Sequence, residues 1–150
     1  GCSCAMGTVM TQFIQNLQIS KDQFALLDME AGVEHFGRGI DNGVDLVLMI
    51  VDPSYESLQL SGKVGELAKS IEKPFYYIFN KVTEENREML YENVWKPERV
   101  AACLGLDAAI MKEGLTGKEL SEEPEAIERL ADFLLSMISK REETHVTGTV

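Results

Sequence analysis

The sequence lacks any excess of positive charge, any long hydrophobic run and any dense set of cysteines. Lys and Arg number 14 against 25 Asp and Glu, so the formal net charge is -11. A chain this acidic is a poor match for nucleic acid, whose binding replaces phosphate counterions with Lys and Arg. It also lacks a basic helix for a membrane surface. The longest apolar run, Leu46–Val51, is of strand length and far below the roughly 20 residues that cross a bilayer. The N-terminus lacks a basic region followed by an apolar stretch, so no signal peptide is expected. The expectations are a cytoplasmic location, no membrane partner and no nucleic-acid partner. Three cysteines in 150 residues exclude a disulfide scaffold. Proline occurs only four times and tryptophan once.

What is present is an alternation of amphipathic segments and short apolar runs. Met6, Met10, Phe13, Ile14 and Leu17 recur at helical spacing. Phe24-Ala25-Leu26-Leu27 is a short apolar run ending in an acid and predicts a buried strand. Asp45–Asp52 encloses an unbroken apolar run, the pattern of a strand covered on both faces of a parallel sheet. Pro53-Ser54 ends it and opens a helix to Ile71. Phe75–Phe79 predicts the next strand, with Asn80-Lys81 directly at its end. Thr83 caps a helix over Glu84–Asn93, and Arg99–Leu104 predicts a further strand. Ser121 reads as the cap of a closing helix that buries Ile127, Leu130, Leu134, Leu135 and Ile138. Thr144–Val150 reads as a frayed tail.

Strand, helix, strand, helix, strand predicts an α/β fold with a mostly parallel, doubly wound sheet. In such sheets ligands bind beyond the carboxyl ends of the strands. Three polar sites fall there: Asp28–Gly32, Asp52-Pro53-Ser54 and Asn80-Lys81. An acid leaving a buried strand can hold a magnesium-bound water or orient a nucleophilic one. A glycine four residues on lets the backbone approach a terminal phosphate. The ordinary alternative is that Asp28 caps a loop and Gly32 makes a turn.

The longer string Asp28-Met29-Glu30-Ala31-Gly32-Val33-Glu34-His35-Phe36-Gly37-Arg38-Gly39 closely resembles a stretch of the CooC-type ATPases. Those are nickel-insertion accessory proteins of carbon monoxide dehydrogenase, within the MinD/Mrp and nitrogenase iron-protein superfamily of P-loop ATPases. Val44–Pro53, Phe75–Val82, Leu104–Asp107 and Gly114–Leu120 resemble the family's later elements, so the likeness covers most of the chain. The resemblance implies a catalytic role for Asp28, serving Mg2+ and the attacking water. It implies nucleotide binding by Gly32, Pro53, Asn80 and Lys81, with Gly32 beside the γ-phosphate, the Asn80 amide at the adenine base and Pro53 lining the base pocket. Glu34, His35 and Arg38 would face a partner subunit.

Cys2-Ser3-Cys4 lies before the first helix, where the accessory ATPases carry a Cys-x-Cys pair. A tetrahedral nickel or zinc site wants about four donors. One pair supplies two, so a two-fold homodimer would complete the set. The alternative is an unstructured pair with no ligand role. Cys103 sits in an apolar setting and reads as a core residue.

No G-x-x-x-x-G-K-[ST] phosphate loop occurs in the sequence. Gly62-Lys63 is followed by Val64 and lacks the upstream glycine. Residues 1–150 are therefore expected to be the C-terminal part of one P-loop NTPase domain. Its sheet would be incomplete because the P-loop strand is absent, and ATP hydrolysis by these residues alone would be poor. An incomplete sheet is expected to expose edges and to favour dimerisation or element swapping. The leading expectation is a fragment of an ATP-dependent metallochaperone that hands nickel to a metalloenzyme client. The alternatives are a MinD/ParA-like ATPase without metal, a non-catalytic interaction module, and an electron-transfer protein like the nitrogenase iron protein. The last uses separated cysteines, unlike Cys2-Ser3-Cys4.

Overall fold

The structure is a computed structural model and describes residues 12–14, 16–20, 23–29, 43–120 and 124–146. Its centre is a three-stranded, all-parallel sheet of order β1-β2-β3. The strands are β1 (Val47–Val51), β2 (Phe75–Val82) and β3 (Val100–Gly105). Helix α1 (Tyr55–Ser70) joins β1 to β2, and α2 (Glu84–Asn93) joins β2 to β3 through a 3-10 turn at Pro97–Arg99. Helices α3 (Ala108–Thr116) and α4 (Glu125–Val146) follow.

The core lies on one face of the sheet. Met49, Val51, Phe75, Tyr77 and Phe79 meet Val64 and Ala68 of α1, Leu90 of α2 and Val94. Alternation along β2 sends Tyr76 to the other face, where its ring packs edge-on against Phe133 of α4. Its hydroxyl lies 3.7 Å from the Met137 sulfur. Helices thus flank both faces, as the α/β reading expects, and the open parallel sheet is consistent with an incomplete P-loop-type fold. No helix among the described residues is long and apolar enough to cross a membrane.

Several expectations need correction. Phe24–Leu27 is not a buried strand: residues 23–29 have no regular structure, and Phe24 and Leu26 are 57% and 75% exposed. A strand needs a neighbour for its backbone N–H and C=O groups, and β1 pairs only with β2 among the described residues. Ile50 is 58% exposed and Leu48 only half-buried, so the face of β1 opposite Met49 and Val51 is incompletely covered, not buried as the apolar run suggests. In α4, Ile127 and Leu135 are exposed, and half-buried Phe133 and Met137 carry contacts to the sheet instead. Helix α3 was not expected. Of the first helix only 12–14 is described as helical, with Ile14 buried and Phe13 exposed. Ser121 and the side chain of Ile138 lie outside the described residues.

Among the described residues, one buried side-chain polar atom is unpaired. Tyr77 is fully buried, and its hydroxyl makes no hydrogen bond among the described residues. Ser61, also fully buried, donates its own proton to the Leu58 carbonyl at 2.7 Å. Burial pushes the Tyr77 phenol above its ordinary pKa. An unsatisfied buried hydroxyl costs about 1–3 kcal/mol. Tyr77→Phe is therefore expected to leave the urea midpoint unchanged or raise it. A drop in stability of more than about 1 kcal/mol would mean that the hydroxyl has a partner.

Candidate functional site

The site begins where β1 ends. Ser54 caps α1, its Oγ accepting the Ser57 N–H at 3.2 Å. Ser57 in turn accepts the Asp52 backbone N–H on its Oγ at 3.0 Å. The first turn of α1 therefore fixes the backbone that carries the Asp52 carboxylate.

The end of β2 is fixed in the same manner. Thr83 and Asn86 form a reciprocal capping box at the start of α2, with bonds of 2.9 and 3.3 Å. The Asn86 amide also donates to the Lys81 carbonyl at 3.1 Å. Three steps along β2 from Phe79 to Val82 face two along β3 from Cys103 to Gly105. Asn80-Lys81 therefore forms a bulge, a device that re-aims side chains. Lys81 has φ 55, the left-handed region.

Asp52 joins the two strand ends. Its Oδ1 accepts the Asn80 Nδ2–H at 2.9 Å, and its Oδ2 accepts Lys81 Nζ at 2.5 Å. The Lys81 hydrogen bond holds the Asp52 carboxyl below the usual carboxylate range, Asn80 adds to this, and partial burial opposes it. Asp52 is thus ionised at neutral pH. The arrangement can present an oriented amide and a compensated charge pair to a ligand beyond the strand ends. Pro53 is exposed immediately beside Asp52.

The bulge yields a stability prediction. Left-handed backbone costs a non-glycine residue about 1–2 kcal/mol. The Lys81–Asp52 bridge is 53% and 37% exposed on its two sides, and such pairs contribute about 0–1 kcal/mol. Glycine normally weakens a strand interior relative to alanine by about 0.5–1 kcal/mol. At position 81 the order should invert, with Lys81→Gly more stable than Lys81→Ala in urea denaturation. The ordinary order, alanine above glycine, would contradict the strained bulge.

The structure places the other sequence-derived residues as follows. Asp28 lies in the irregular, exposed stretch 23–29, and no hydrogen bond or ion pair among the described residues joins it to Asp52, Asn80 or Lys81. Cys2, Cys4, Gly32, Glu34, His35 and Arg38 lie outside the described residues. Among the described residues no group of three or more His, Cys, Asp or Glu could hold a metal ion. Cys103 is half-buried, with its sulfur 3.4 Å from the Tyr91 hydroxyl. A cleft of about 540 Å³ opens between Thr83, Arg87, Tyr91, Cys103 and Arg129, and neither Asp52 nor Asn80 lines it. Ser57 and Asn86, which support the site through the Asp52 N–H and the Lys81 carbonyl, are not marked by any motif in the sequence beyond the spacings Ser54-x-x-Ser57 and Thr83-x-x-Asn86.

No protein-family model matches the chain. Known relatives do. The chain is 40% identical over 134 residues to an uncharacterized ATP-binding protein of Methanocaldococcus jannaschii, covering 89% of this chain and 53% of that protein. A second uncharacterized ATP-binding protein of that organism is 31% identical over 144 residues, covering 91% of this chain and 56% of the relative. The carbon monoxide dehydrogenase accessory protein CooC of Rhodospirillum rubrum is 34% identical over 83 residues, covering 55% and 32%. The relatives of this chain are thus ATP-binding proteins and a carbon monoxide dehydrogenase accessory protein, and the chain spans about half the length of the first two.

Proposed function

We propose that the chain is part of an ATP-dependent nickel-insertion metallochaperone, in which ATP hydrolysis drives metal delivery to a metalloenzyme such as carbon monoxide dehydrogenase. The observation that carries this is the Asp52–Asn80–Lys81 cluster at the carboxyl ends of two parallel strands. It stands in a chain whose relatives include ATP-binding proteins and CooC. On this reading Asn80 meets the adenine base, Lys81 steadies that end of the site and Pro53 lines the base pocket. Asp28 orients the attacking water and serves Mg2+, and Gly32 approaches the γ-phosphate. Bound Mg2+ supplies charge neutralisation on the phosphates. Cys2 and Cys4 hold nickel or zinc together with the pair of a second subunit.

A nucleotide switch of the MinD/ParA kind, without metal, is the second reading. It is compatible with the names of the two Methanocaldococcus jannaschii relatives, which specify ATP binding.

The test of the ATPase half is the coding region upstream of Gly1. The reading expects an in-frame G-x-x-x-x-G-K-[ST] between a strand and a helix. Its absence there would reject ATP hydrolysis by this protein.

A further inference from the structure

We propose that Asp52 sets the base preference of the site by fixing which way the Asn80 amide faces. The inference rests on the reading that Asn80 meets the base, and goes beyond it by assigning selectivity to a second residue. An ionised carboxylate only accepts hydrogen bonds. Asn80 must therefore turn its NH2 group, and not its oxygen, toward Asp52 Oδ1 at 2.9 Å.

Both partners hang from tethered backbone. Asp52 is held through its backbone by Ser57 at 3.0 Å and through Oδ2 by Lys81 at 2.5 Å. The bulge that carries Asn80 is held through the Lys81 carbonyl by Asn86 at 3.1 Å. A positive charge beside Asp52 also keeps it from becoming a donor.

With Nδ2 committed to Asp52, Asn80 offers a ligand its carbonyl oxygen and its second N–H. Adenine presents the complement: the N6 amino group donates and N7 accepts. Guanine presents O6 and N7, both acceptors. Its O6 would face the Asn80 oxygen, acceptor against acceptor. Asp52 need not touch the base to choose between them. It is a positioning residue.

The experiment is titration of the full chain with AMP and with GMP, followed in 15N–1H spectra, for wild type, Asp52→Asn, Asp52→Glu and Asn80→Ala. Circular dichroism checks that each variant is folded. Wild type should favour AMP by about tenfold, within the range expected for one bidentate amide–base contact. Asp52→Asn can donate as well as accept, so Asn80 can face either way and the AMP/GMP ratio should fall to about threefold or less. Asp52→Glu keeps an acceptor-only group and should keep the preference for AMP. If Asp52→Asn retains the wild-type ratio while Asn80→Ala weakens AMP, the positioning role is wrong and the base contact stands. If Asn80→Ala binds AMP as wild type does, or folded wild type shows no saturable AMP binding, the base contact itself fails and this inference with it.

Discussion

Phe79→Ala is expected to destabilise the chain by about 3–5 kcal/mol, the usual range for removing a buried aromatic ring. Phe79 is fully buried in β2, the central strand. It stands between Val51 of β1 and Cys103 of β3. Its ring meets Tyr91 of α2 edge-on at 5.0 Å between centroids. Helix α2 would therefore lose its principal aromatic anchor on the sheet. Whole-domain stabilities are about 5–15 kcal/mol, so the loss is a large share of the total. Asn80 is the next residue, so the strand end that presents it should loosen as well. Urea denaturation reads the first effect, and exchange of the Asn80 side-chain amide reads the second. A midpoint shift equivalent to less than about 1 kcal/mol would mean that the core is not organised around β2.

The second large effect concerns metal. Reduced protein should bind about one divalent metal per two chains, because a closed tetrahedral site needs about four donors and each chain brings two. Cys2→Ala/Cys4→Ala should reduce this to background. Cys103 offers no replacement, since it is half-buried against Tyr91. No cluster of three or more His, Cys, Asp or Glu among the described residues offers one either. Metal retained by the double variant, or absent from wild type, would remove the metallochaperone reading and leave the plain nucleotide switch. Elemental analysis with size-exclusion chromatography supplies both stoichiometry and oligomeric state.

The parts of the fold legible in the sequence were those with local causes. Ser54 and Thr83 cap their helices through bonds to residues three positions away, so their signals are written nearby. The apolar runs at 47–51 and 75–79 became parallel strands because both found neighbours. Phe24–Leu27 carries an equally apolar run and did not, since pairing is a tertiary event that composition cannot guarantee. Helix α3 has weak sequence signals even though Asp107 caps it through two N–H bonds and Gly117 ends it at φ 65. Its cap and its left-handed stop were both visible, but none of its residues is buried to reinforce them.

The candidate site was legible as residues and not as connections. Asp52, Asn80 and Lys81 were each placed at strand ends by pattern alone. The bond between Asp52 and Asn80 spans 28 positions and depends on β1 and β2 being neighbours. The bulge that turns Lys81 to φ 55 depends on the register between β2 and β3. Neither has a local signature.

The most direct measurement is the location of adenine-nucleotide binding on the chain. AMP titrated into 15N-labelled protein should shift the Asn80 side-chain amide and the backbone amides around Asp52, Ser54 and Lys81. Shifts confined to the cleft around Arg87, Tyr91, Cys103 and Arg129, with Asn80 unmoved, would contradict a base site at the ends of β1 and β2.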